Sequence, residues 1–187
     1  MLKMVGTVVQ IGLEKTCEFH YLSFSDWKSR MQDQHRLNQI PIEIFSYKSF
    51  RYIGIDLCPE SVQLCSAKYP ENSPTFITAK IESAKGLQHI LQDQGVTHID
   101  ILAVDIEGYE KLLFAENWNF DMMLPRYIAV EFHPQFLLQH DHKGTLTHFS
   151  SNIESAGYQL QREEITNKAS RRGLTVEQQY LKDVVNL

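Results

Sequence analysis

Apolar residues fall along this chain in short runs, and segments of helical period separate them. Met4-Val5-Gly6-Thr7-Val8-Val9-Gln10-Ile11 is a continuous β-branched run that ends at Gly12, the pattern of a strand buried on both faces. Phe50 to Ile55 repeats it and ends at Asp56. Pro59 to Tyr69 then reads as a helix, with Pro59 in its first turn and Val62, Leu64, Cys65 and Ala67 as apolar positions. Thr75 to Thr78 is a third strand. Ser83 to Gln94 is a second helix, with Leu87, Ile90 and Leu91 on one side and Gly95 as its stop. His98 to Val104 is the clearest strand, Tyr109 to Ala115 a short helix, Arg126 to Glu131 a fifth strand, and Thr145 to Ala156 a helix closed by Gly157. Tyr158–Gln161 and Leu174–Leu181 complete the pattern as a closing pair of strands.

This alternation predicts an α/β fold with a mostly parallel sheet, helices on both faces through right-handed crossovers, and an antiparallel hairpin at one edge. No repeat, low-complexity tract or Pro/Gly-rich linker divides the chain, so one domain over residues 1–187 is expected. Residues 22–47 exceed a minimal crossover. Ser25-Asp26-Trp27 suits the start of a helix running to about Leu37, and Pro41 to Phe45 alternates like an edge strand. The segment is a decorated crossover or a lid over a ligand cleft.

Composition narrows the class. The 187 residues are 43% hydrophobic and 22% charged, an ordinary globular balance, so neither disulfides nor metal are needed to complete the core. A net charge of -5 lacks the basic footprint of a nucleic-acid binder. No apolar run reaches membrane-spanning length and no signal-peptide pattern opens the chain. Three scattered cysteines form no disulfide framework and suit a reducing, cytoplasmic setting.

Candidate chemistry concentrates after the strands, where open α/β sheets bind their ligands. Gly12 and Glu14 follow the first strand, Asp56 the second, Lys80 and Ile81 the third, and Asp105 and Glu107 the fourth. Glu131 and His133 close the fifth. Asp56 is suited to accept both hydroxyl hydrogens of a ribose, or to cap the helix that follows. In Asp105-Ile106-Glu107-Gly108-Tyr109-Glu110, two acids share a turn in which Gly108 supplies backbone freedom; such a pair suits proton abstraction or attracts a cation. His133 is a candidate general base, or a histidine bonded to a loop carbonyl. His140-Asp141-His142, even with His133 and His148, matches no metal-ligand spacing, and no metal is expected. The cysteines read as inert, and Arg171-Arg172 with Lys168 as a solvated turn.

The stretch Ile99 to Glu110 resembles the hallmark of FkbM-type methyltransferases, an apolar strand followed by Asp-aliphatic-Glu-Gly-x-Glu. Pro125 to His133 resembles that family's next strand, and Tyr52 to Glu60 its acidic second-strand motif. The resemblance implies a Rossmann-like sheet of seven strands, the last antiparallel, that binds S-adenosylmethionine (SAM). It also implies methyl transfer to a hydroxyl oxygen on a small molecule or sugar. On this resemblance Asp56, with Leu57 beside it, holds the ribose. The backbone near Lys80 and Ile81 meets the adenine, Gly12 and Glu14 line the donor, and Asp105 lies by the methionine amino group and the methyl. Asp105, Glu107 and His133 are the residues to serve catalysis.

The family's first-strand pattern, roughly Asp-x-Gly-Ala-Asn-x-Gly, is replaced here by Gln10-Ile11-Gly12-Leu13-Glu14-Lys15-Thr16, which keeps only the first glycine. Two other readings follow: a methyltransferase-fold binding or scaffold module that does not use SAM, and an NAD-linked protein. The second is opposed by the absence of Gly-x-Gly-x-x-Gly. No nucleic-acid or membrane partner is expected, and association with a second copy of the chain is left open.

Overall fold

A computed structural model describes residues 5–13, 49–68, 74–106, 108–114, 125–133, 142–168 and 173–182. The elements in chain order are β1 (Val5–Ile11), β2 (Ser49–Asp56), α1 (Pro59–Lys68), β3 (Thr75–Thr78), α2 (Ala84–Asp93), β4 (Ile101–Val104), α3 (Glu110–Phe114), β5 (Tyr127–Phe132), α4 (His142–Ser155), β6 (Tyr158–Lys168) and β7 (Gly173–Lys182). The seven strands form one sheet in the order β3-β2-β1-β4-β5-β7-β6. The first five run parallel. β7 pairs antiparallel with β5 and with β6. The expected architecture, a Rossmann-like, mostly parallel sheet of seven strands with an antiparallel pairing at one edge, is the one observed. The possible lid over residues 22–47 lies outside the described residues.

The continuous apolar runs are the central strands, as their burial requires. Val9, Ile11, Ile53, Ile55, Leu102, Ile128 and Val130 join one core cluster. Leu87 and Leu91 of α2, Leu113 and Phe114 of α3, and Phe149 and Ile153 of α4 pack into the same cluster. Fully burying such a side chain contributes about 1.5–3 kcal/mol. The opposite face is thinner: Leu13 packs with Val62 and Cys65 of α1 and with Phe76 of β3. Gly54 makes room here, because a Cβ at this position would stand 2.9 Å from both Leu13 and Phe76. Helices therefore cover both faces of the sheet. No described helix is long and apolar enough to cross a membrane.

α4 begins at His142, three residues before the expected Thr145, and two further element ends differ from the sequence pattern for physical reasons. β4 begins at Ile101 rather than His98, because Asp100 turns its side chain onto the sheet's amino-terminal end. Its carboxylate accepts the Thr7 amide (2.7 Å) and lies 3.0 Å from His98 Nε2. β6 extends to Lys168, well past Gln161, because β7 supplies a ladder partner along the whole run, through a register irregularity between Leu160 and Arg162. The punctuation by glycine holds: Gly95 (φ 67°) and Gly157 (φ 82°) terminate α2 and α4 in the left-handed region. Ser83 caps α2, its hydroxyl accepting the Gly86 amide at 3.0 Å.

Candidate functional site at the strand tips

The chain builds β1, β2 and β3 outward in one direction, then returns to place β4 and β5 on the other side of β1. The order of strands reverses between β1 and β4, which is where an open α/β sheet leaves a crevice at its carboxyl ends. Gly12 and Asp105, the residues that follow those two strands, meet there. The Asp105 amide donates to Ile11 O at 2.9 Å, and the Gly12 amide to Ile55 O at 2.9 Å. Gly12 adopts φ 90°, and a Cβ on it would fall 1.7 Å from the Asp105 carbonyl oxygen. Only glycine fits this crossing, because both its dihedral and its contact exclude a side chain. Gln10 fastens the turn further: its Nε2 donates to Gly12 O (3.0 Å), and its Oε1 accepts the Tyr52 hydroxyl (2.7 Å).

Asp56 ties the next tip to the same turn. One carboxylate oxygen accepts the Leu13 amide at 2.7 Å and the other the Cys58 amide at 2.7 Å. The bond to Cys58 closes an Asx turn just ahead of α1, whereas Asp56 stands two residues before the Cys58 carbonyl that accepts the first helical amide and so is not itself the N-cap; the bond to Leu13 joins β2 to the turn after β1. A carboxylate offers about four acceptor positions, so two remain for a ligand. The Ala79 amide donates to Asp56 O (2.9 Å), which brings the end of β3 alongside.

The third feature is a buried chain of ionisable groups between β4 and β5. Glu110, in the first turn of α3, is fully buried. Its Oε2 accepts the Gly108 amide at 2.8 Å, and its Oε1 lies 3.1 Å from His133 Nδ1. The other ring nitrogen of His133, Nε2, lies 3.6 Å from Asp105 Oδ1 and 3.7 Å from Glu131 Oε1. His133 is 1% exposed, whereas the Asp105 and Glu131 side chains are 29% and 28% exposed. Burial lowers the affinity of His133 for a proton. The Glu110 hydrogen bond and charge, with the charges of Asp105 and Glu131, outweigh burial and raise its pKa above the ordinary 6.5. Ligand-type atoms of Asp105, Glu110 and His133 lie within 4.8 Å of one another. Both Glu110 oxygens already accept hydrogen bonds, from Gly108 and from the imidazole, so the set reads as a relay in which Glu110 and His133 are hydrogen-bonded and Asp105 stands at ion-pair distance (3.6 Å) at the wetter end.

The structure therefore brings together Gly12, Asp56 and Asp105 through the β1 turn, and Asp105 with His133 through the relay. Lys80 stands apart, in a surface ion pair with Glu82 at 2.6 Å. Ile81 is 7% exposed and packs against the core, so only its backbone is placed to serve a ligand. Leu57, at 58%, is one of the most exposed large apolar side chains described. Glu14 and Glu107, with Lys15 and Thr16, lie outside the described residues. The sequence reading passed over Glu110 as a partner of His133, although it closes the Asp105-to-Glu110 motif; an acid in the first turn of a helix is ordinarily explained by the helix dipole alone.

Among solved structures, the fold resembles the fibrillarin pre-rRNA processing protein of Methanococcus jannaschii (TM-score 0.58, 10% identity, covering 96% of this chain and 67% of that one). It also resembles magnesium protoporphyrin IX methyltransferase (ChlM) of Synechocystis PCC 6803, solved with SAM (TM-score 0.55, 15% identity, 94% and 69%). A third likeness is the O-methyltransferase TomG of Streptomyces achromogenes, in complex with SAM (TM-score 0.52, 12% identity, 94% and 72%). The chain thus spans roughly two thirds of each of these proteins. No curated protein sequence matches it. The profile of the methyltransferase FkbM domain matches residues 47–160, a stretch that holds β2 to the start of β6 and with it Asp56, Asp105, Glu110 and His133. The chain belongs to the FkbM methyltransferase domain family.

Proposed function

We propose that the protein transfers a methyl group from S-adenosylmethionine to a hydroxyl oxygen on a small molecule or sugar. The observation that carries this reading is the junction at the strand-order reversal: Gly12, without a side chain, crosses Asp105, and Asp56 fastens the same turn to β2. A bare backbone flanked by two carboxylates suits a ligand that carries a ribose and an ammonium group but no phosphate. Two structures of similar fold, ChlM and TomG, hold SAM.

When bound, SAM supplies an electrophilic methyl carbon on a sulfonium sulfur. The two remaining acceptor positions of Asp56 receive the ribose hydroxyls, and the exposed Leu57 offers apolar surface beside them. The backbone at Lys80 and Ile81 borders the adenine. Asp105 faces the ammonium group and the reacting centre. An alcohol is a weak nucleophile until its proton leaves, and the partly exposed Asp105 carboxylate is the group to receive that proton. The rest of the task is in-line placement of the acceptor oxygen.

Calorimetric titration with SAM and with S-adenosylhomocysteine tests the proposal. Micromolar binding of both, lost in Asp56→Ala, is the expected result. Failure of the folded protein to bind either compound overturns it and favours a binding or scaffold module built on the methyltransferase fold.

A further inference from the structure

Glu110 is an acid that nothing exposed explains. It is completely buried, at a cost that a solvated helix-capping acid would avoid, and each of its oxygens is committed to a different strand tip. Oε2 holds the Gly108 amide within the turn after β4, and Oε1 holds the His133 ring after β5. Because a carboxylate is only an acceptor, the Nδ1 of His133 must be the donor. That fixes the ring's orientation and leaves Nε2 facing Asp105 and Glu131.

We propose that Glu110 is a positioning residue of the methyl-transfer site: it holds His133 with hydrogen on Nδ1 and so directs Nε2 at the Asp105 carboxylate. The inference rests on the methyl-transfer reading for its purpose, but its geometry is independent of the donor. Three carboxylates face the ring, Glu110 from α3, Asp105 from the turn after β4 and Glu131 from β5 itself, and against the opposing effect of burial they favour the doubly protonated ring more than in a free imidazole. In that form Nε2–H presents positive charge to Asp105. It steers the Asp105 carboxylate, whose side chain is 29% exposed. His133 accordingly acts behind Asp105 as a donor rather than as the base.

Nitrogen-15 NMR of the histidine rings in the full chain, followed across pH in wild type and in Glu110→Gln, tests the assignment. In wild type the His133 midpoint is expected above that of exposed histidines. Beyond it, the neutral ring is expected to keep its hydrogen on Nδ1, against the usual preference of imidazole for Nε2. In Glu110→Gln, similar in shape but uncharged, the midpoint is expected to fall. A wild-type ring that becomes neutral with hydrogen on Nε2, or a midpoint unmoved by the substitution, overturns the proposal. The wild-type tautomer decides the matter even if the variant does not fold. Titration of the same samples with S-adenosylhomocysteine separates the two readings. Absence of binding with an intact Nδ1–H signature refutes methyl transfer alone, whereas binding with the wrong tautomer refutes Glu110 alone.

Discussion

At the scale of single residues, the site depends on what Gly12 lacks and on what Asp105 keeps. Gly12→Ala would set a methyl group against the Asp105 carbonyl at a dihedral that alanine avoids. The expected cost is about 3 kcal/mol or more, read as a lower urea midpoint, together with loss of SAM binding. Asp105→Asn keeps size and fold but removes the acceptor for the hydroxyl proton. Turnover, once an acceptor is identified, is expected to fall by about 10²–10⁴-fold, with an unchanged circular dichroism spectrum. Undiminished turnover would remove Asp105 from the chemistry. Asp56 and Asp105 were legible in the sequence because each follows an unmistakable apolar strand, so the register of the sheet alone places them on one edge. Glu110 was not legible as a partner of His133: the two stand 23 positions apart, and only the packing of α3 against β5 brings them together. The bond from Asp56 to the Leu13 amide was hidden for the same reason, since a carboxylate's backbone partner on another strand leaves no mark in composition.

At the scale of elements, the parts that a one-dimensional pattern describes are those governed by local chemistry. Ser83, Gly95 and Gly157 mark helix ends through capping and left-handed backbone, which need no distant partner. Ser83→Ala is expected to cost about 1 kcal/mol in chemical denaturation and to leave SAM affinity unchanged, because α2 meets the sheet through Leu87 and Leu91, away from the strand tips. The length of β6 was not legible, because Arg162 to Lys168 is polar but for the exposed Ile165 and gains its extended form from β7 rather than from burial. Phe132 on β5 shows the opposite case of tertiary packing. It lies between Phe114 of α3 and Phe149 of α4, with ring centroids 5.8 Å away on each side. Phe132→Ala is expected to cost about 3–5 kcal/mol and, by loosening α3, to disturb the Glu110–His133 bond one residue away.

At the scale of the whole molecule, the buried relay links stability to pH. The folded-state pKa of His133 is raised, so the stabilisation from its protonated form is complete below the unfolded value near 6.5 and is lost as pH rises through the higher folded value. Wild type is therefore expected to exceed His133→Gln in melting temperature by the widest margin near the acid end of a series from about pH 6 to pH 9, and by less at the alkaline end. A margin that grows with pH would contradict the raised value. The sheet order carries a consequence of another kind. β1 precedes β2 in the chain yet lies between β2 and β4, and among the described strands β6 is joined to the sheet only through β7, which follows it. A nascent chain lacking Gly173 onward has no template on which β6 could dock, and it leaves the margin of β5 bare. Addition of the ten-residue β7 is thus the event that seals this edge of the sheet, and versions truncated before Gly173 are expected to aggregate through that open margin rather than to persist as active fragments.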